Sequence, residues 1–158
     1  MSLYKVPLIK KNEYDSIIKN NFMSRIAFMG EYPYIAPFLY VFENNQIYFL
    51  STKYGKKIKR LDKNPKVAVE IEQYNNDLSD YQFVTLQGQI IKEESPERRK
   101  EIRKLFVNLI ETNGLSRNIL AALGHSPDDP LESLVQKECS YVWKLVNVQS
   151  IVGVKNTE

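Results

Sequence analysis

One cysteine and one histidine in 158 residues exclude a good deal of chemistry. Cys139 has no partner for an intramolecular disulfide, so nothing marks the chain as secreted. A zinc site needs more ligands than Cys139 and His125 supply, and no metal centre is expected. A single histidine does not assemble a nucleophile triad. No apolar run approaches the ~20 residues of a membrane span, and residues 1–11 lack a signal-peptide core. A cytoplasmic location is the expectation. The phosphate loops G-x-x-x-x-G-K-[ST] and G-x-G-x-x-G are both missing, which argues against an NTPase and a Rossmann domain. There are no repeats, low-complexity tracts or dividing linkers, so residues 1–158 are expected to form one domain. The net charge of +3 is too small by itself to imply nucleic acid.

What is present is mostly strand. Residues 24–30, 34–42, 46–51, 66–73, 81–91 and 140–148 have strand composition or alternation, and 151–154 can pair as a seventh. Glu43-Asn44-Asn45 predicts a hairpin turn, and Gly88 permits a bulge within 81–91. Asn12 is placed to cap a short helix ending at Asn20-Asn21. Ser95-Pro96-Glu97 starts a longer helix: a serine cap, proline at the first position and an acid in the first turn. Two further helical pieces fall within 112–138, and His125 lies there in a loop, HSPDDP, that reads as exposed. Cys139 reads as a small, inert residue, and Asp128 and Asp129 as turn acids. This pattern predicts a mainly β (α+β) chain folded as a small antiparallel barrel with peripheral helices.

The segment 46–71 carries the chemistry. It reads as strand, basic turn, short helix, strand, with Asn64-Pro65 ending the helix. Ser51 and Thr52 supply hydroxyls. A helix starting near Gly55 presents unpaired N–H groups and a partial positive charge, and Lys56 or Lys57 adds an ammonium. Together these would form an oxyanion or phosphate site. A solvated basic helix face fits the same spacing, as does a nucleic-acid patch. Ile58 and Leu61 must face the barrel, and Lys59, Arg60 and Lys63 point away. The many aromatics fit either a barrel core or the border of a flat ring system.

Taken in order, the motifs SRIAFMGEYPYIAPFLYVF, IYFLSTKYGKKIKRLDKNPKVAV and YQFVTLQGQI resemble the pyridoxamine 5′-phosphate oxidase-like FMN-binding split-barrel family, including its nitroimidazole-resistance branch. The resemblance implies a six-stranded antiparallel split β-barrel holding FMN at a homodimer interface, with no nucleic acid bound. It places Ile35, Ala36, Pro37, Phe38, Leu39 and Tyr40 against the flavin ring. It places Ser51, Thr52, Lys56 and Lys57 at the phosphate, and Gln82 at a polar contact with the ring. The implied activity is FMN-dependent oxidoreduction of a small organic substrate, with electrons supplied by a nicotinamide donor or by another reductase. A non-catalytic flavin carrier or sensor, or a haem- or F420-binding member of the same fold, remains open. Lys56 stands where arginine is common, Leu50 where the nitroimidazole branch often has histidine, and Phe83 where serine is common. The substrate-binding signature of the true oxidases is missing. No side chain is assigned as acid or base. Residues 112–138 fall outside the core pattern and are expected to cover the cofactor or extend the dimer.

Overall fold

The computed structural model describes residues 2–157. Its elements run α1 (Lys11–Lys19), β1 (Met23–Phe28), β2 (Tyr34–Glu43), β3 (Gln46–Thr52), α2 (Lys56–Lys63), β4 (Lys66–Tyr74), β5 (Asp80–Lys92), α3 (Pro96–Thr112), α4 (Ile119–Ala122), α5 (Ser133–Gln136) and β6 (Ser140–Thr157). The six strands close into a barrel in the order β1-β2-β3-β6-β5-β4. Every adjacent pair is antiparallel. The mainly β barrel with peripheral helices is therefore present as expected.

Alternation fixes what faces in. Ile26 and Phe28 on β1, Val67, Val69 and Ile71 on β4, and Val84, Leu86 and Ile90 on β5 are buried in the barrel core with Phe49 and Trp143. The β2–β3 hairpin turns on Asn44 and Asn45, both at positive φ (52° and 60°). Two such residues suit the right-handed twist of the flanking strands. A second apolar cluster lies outside the barrel. There Leu39, Val41, Tyr48, Leu50 and Val142 meet Ile102, Phe106 and Ile110 of α3 and the leucines of 115–134. Residues 112–138 thus form a hydrophobic layer over α3 and the outward face of β2, β3 and β6.

Helices plug the barrel's two ends. α1 buries Ile17 and Ile18 in the barrel core, and the Tyr40 hydroxyl donates to the Ile18 carbonyl at 2.7 Å. Each such isoleucine contributes roughly 1.5–3 kcal/mol by burial. At the other end α2 buries no residue fully, although Ile58 and Leu61 pack against the core as their spacing predicts.

Three expectations need correction. Asn12 does not cap α1. The helix already begins at Lys11, with Lys10 extended at the N-cap and no side-chain cap bond. Residues 140–148 and 151–154 are not two strands but one, β6. It pairs with β5 on both sides of an irregularity, with Gln87 opposite Ser150 and Gln89 opposite Val146. The extra residues are therefore on β6, with Asn147 at φ 51°. Gly88 of β5 admits the close approach instead, since a Cβ there would lie 2.8 Å from the Val146 carbonyl oxygen. Finally, His125 is not an exposed loop residue. Only 6% of its surface is accessible, and Gly124 (φ 89°) lies so close to Cys139 that a Cβ would sit 2.6 Å from its carbonyl oxygen. Tertiary docking buries a segment whose composition reads as a surface loop.

Candidate functional site: the split between β2 and β3

β2 and β3 pair from Glu43↔Gln46 only as far as Tyr40↔Phe49. Beyond that point they part. β3 continues along β6, with Ser51 opposite Tyr141 and Thr52 opposite Ser140. β2 pairs only with β1, with Pro37 opposite Arg25 and Ile35 opposite Ala27. Among the described residues, the edge of β2 from Tyr34 to Leu39 that faces β3 thus has no strand partner. Its unpaired N–H and C=O groups need other partners.

The side chains there divide by parity. Ala36, Phe38 and Tyr40 point into the barrel, and Leu39 lies beneath the helical layer. Ile35 and Pro37 face outward, and Ile35 is 61% exposed. Of the six ring-facing candidates, only these two present side chains to a ligand; the others offer backbone.

α2 starts at the mouth of the split. Gly55 is its N-cap at φ 105°, a conformation that favours glycine. No side chain caps the helix, and its first turn carries no acid. Instead it carries Lys56 and Lys57. Two cations at the positive end of a helix dipole are unfavourable unless an anion is held there. Lys57 folds back, and its Nζ donates to Thr52 Oγ1 at 2.6 Å and to the Tyr54 carbonyl at 3.1 Å. One of its three N–H donors remains. Partial burial pushes its pKa below that of an ordinary lysine. Lys56 is exposed.

Ser51 is placed differently from Thr52. It is fully buried, and its hydroxyl donates to the Thr52 carbonyl at 2.9 Å. Ser51 shapes the end of β3, while Thr52 and the lysines stand at the helix start. Gln82 lies near the start of β5, opposite Gln73 of β4, at the barrel end plugged by α1. Within one chain the structure brings Thr52, Lys56 and Lys57 together and leaves Gln82 at the other end.

Arg60 does not point away from the barrel. Its Nη1 donates to the carbonyls of Met29 (3.3 Å) and Tyr32 (2.6 Å), and its guanidinium lies 5.8 Å from the Tyr34 ring centroid. It ties α2 to the turn that leads into β2. A Cβ on Gly30 would fall 1.7 Å from that nitrogen. Only the glycine hinted at such an approach in the sequence.

A six-stranded barrel that splits between β2 and β3, with an uncapped basic helix start at the split, defines a split-barrel protein. A family model described as pyridoxamine 5′-phosphate oxidase matches residues 10–130. The chain belongs to that family. Among curated proteins none matches. Solved structures share the fold at low identity. A FAD-binding protein from Mesorhizobium loti is 16% identical, with 96% of this chain and 99% of that one covered and a TM-score of 0.71. A proposed 5-nitroimidazole antibiotic resistance protein from Bacteroides thetaiotaomicron is 19% identical, covering 96% and 87%, with a TM-score of 0.66. The heme storage protein HutZ from Vibrio cholerae is 14% identical, covering 92% and 94%, with a TM-score of 0.64. No helix among the described residues is long and apolar enough to cross a membrane.

Proposed function

We propose that this chain is an FMN-binding oxidoreductase that works as a homodimer. The observation that carries the reading is the start of α2: no cap, no first-turn acid, two lysines, and Thr52 beside Lys57. A phosphate monoester satisfies all of these at once, through first-turn N–H groups and charge-assisted bonds. The unpartnered edge of β2 offers N–H and C=O groups to the polar rim of a flavin ring, beside Ile35 and Pro37. Membership of the pyridoxamine 5′-phosphate oxidase family, and the shared fold of the FAD-binding protein from Mesorhizobium loti, agree with a flavin.

The outward faces of β1, β2, β5 and β6 expose Met23, Ile35, Phe83 and Val152, and Met29 is exposed just after β1. An apolar surface of this kind suits a second copy of the chain. Gln82 reaches the ring only from that second copy. Bound flavin supplies two-electron redox chemistry, accepting reducing equivalents from a nicotinamide donor and delivering them to a small organic acceptor. The chain's own part is to hold the phosphate, align the ring along β2 and keep water from its buried side.

The test is the visible spectrum of the purified protein, followed by FMN titration of the stripped protein. Flavin absorbance, or saturable FMN uptake, is expected. A colourless protein that takes up no FMN overturns the reading. Oxidation of NADH or NADPH by the FMN-loaded protein then separates an enzyme from a carrier.

A further inference from the structure

One helix, α2, touches both sides of the split. Lys57 reaches the first side, where its Nζ donates to Thr52 Oγ1 at the end of β3. Arg60 reaches the second. Its Nη1 donates to the Met29 and Tyr32 carbonyls in the turn before β2, and its guanidinium lies against the ring of Tyr34, the first residue of β2. Arg60 follows Lys57 by three positions and Lys56 by four, so it neighbours both on the helix surface. The side chain that anchors α2 to β2 thus stands one turn from the two that form the phosphate cradle.

Apolar packing holds that helix only loosely. None of its residues is fully buried, and Ile58 and Leu61 meet the core in part. Apolar attraction has no direction of its own, whereas a planar guanidinium bonded to two carbonyls fixes an orientation. Gly30 is fitted to the same contact. It is not one of the glycines at positive φ, so the backbone of the turn does not demand a glycine there. What matters is the missing side chain: a Cβ would lie 1.7 Å from Arg60 Nη1.

We propose that Arg60 is a positioning residue: it fixes the spacing between the phosphate cradle and the open edge of β2, so that one FMN engages both at once. The inference rests on the flavin reading of the site. A ligand held at two points binds far more tightly than either of its parts, provided the two points stand at a spacing the ligand can span. In FMN the ribityl chain between ring and phosphate limits that spacing. Without the clamp α2 shifts relative to Tyr34 and the edge that follows it. The ring site and the phosphate site each survive, and their cooperation is lost. Arg60 itself makes no contact with the phosphate in this role.

The experiment titrates stripped protein with FMN, with riboflavin and with inorganic phosphate, the last read by its competition against FMN. Two variants break the clamp. Arg60→Ala removes the guanidinium, and Gly30→Ala displaces it while keeping its charge. Both are expected to weaken FMN roughly tenfold, with riboflavin and phosphate affinities unchanged; retained riboflavin binding also shows that the variants fold. Lys57→Ala, by contrast, should weaken phosphate along with FMN. A phosphate loss in Arg60→Ala as large as that in Lys57→Ala makes Arg60 a phosphate ligand and overturns the positioning role. FMN affinity unchanged in Gly30→Ala overturns it too, since charge alone then accounts for Arg60. Equal losses of FMN and riboflavin reduce the clamp to a support of the fold and overturn it as well. A parent chain that binds neither flavin overturns the flavin reading itself.

Discussion

Two helices of this chain begin in opposite ways. α3 starts on Ser95, whose hydroxyl accepts from the Arg98 N–H, with Pro96 at the first position and Glu97 in the first turn. α2 starts on Gly55 with no capping side chain, no acid and two lysines. The first satisfies its own N–H groups and dipole; the second leaves both open. α3 needs nothing from outside because its task is to roof the second core. On the proposed reading α2 leaves part of its stability to a ligand, and its unsatisfied start is the feature that suggests the site.

The contrast can be broken at either helix. The largest effect is expected from Lys57→Ala, which removes the partly buried ammonium beside Thr52. FMN affinity should fall by roughly 1.5–3 kcal/mol, while riboflavin, which lacks the phosphate, should bind as before. Equal losses for both ligands would place Lys57 at the ring instead. Gly30→Ala should expel the Arg60 guanidinium from the β1–β2 turn. The loss of stability should be about 1 kcal/mol, with α2 loosened. Amide hydrogen exchange across residues 56–63 should quicken, and unchanged protection there would show that the clamp does not hold the helix. Ser95→Ala should cost about 1 kcal/mol in denaturant unfolding and leave flavin affinity alone.

Lys56→Glu sharpens the comparison most, because its two effects have opposite sign. Placing an acid in the first turn should stabilise the ligand-free chain by about 0.3–1 kcal/mol, yet weaken FMN. If stability and affinity fall together, the helix dipole is not what the lysine opposes.

The smallest effect is in pH. Burial lowers the Lys57 pKa below its usual 10.5. The folded, ligand-free chain therefore gives up that proton more readily than the unfolded chain. In the window between the lowered value and 10.5 the unfolded chain binds more protons, so ligand-free stability rises with pH. FMN affinity should fall across the same window, because a neutral amine does not attract phosphate. Lys57→Arg keeps its charge throughout and should flatten the binding profile. An equally steep profile in that variant would assign the titration to another group.

The parts legible in the sequence are those set by neighbours in the chain. The Ser95-Pro96-Glu97 start, the Asn44-Asn45 turn and the alternation of β1 and β4 are local, and they specify the barrel's elements. The cluster of hydroxyls and lysines at 51–57 is local too, which is why the helix start was visible. The split itself is not local, and only the family resemblance implied it. It arises where β3 leaves β2 for β6, a pairing between residues some ninety positions apart. Arg60 looked like surface charge because its acceptors are backbone carbonyls on another element, which no side-chain pattern announces. His125 and Arg103 are buried by the docking of 112–138 onto α3 and β6, and two proline-flanked turns cannot reveal what they dock against.

β6 carries a consequence for how the molecule comes into being. It is the last strand along the chain, and it lies between β3 and β5. Until it arrives, both of those neighbours present open edges that invite pairing with another chain. Barrel closure therefore waits on sequence-distant contacts, which slows folding and lengthens the time a nascent chain is vulnerable to aggregation. The same strand joins the barrel core to the outer helical layer through Trp143 on one face and Val142 on the other. Its arrival thus completes both cores in one event, and with them the strand ends around the cradle.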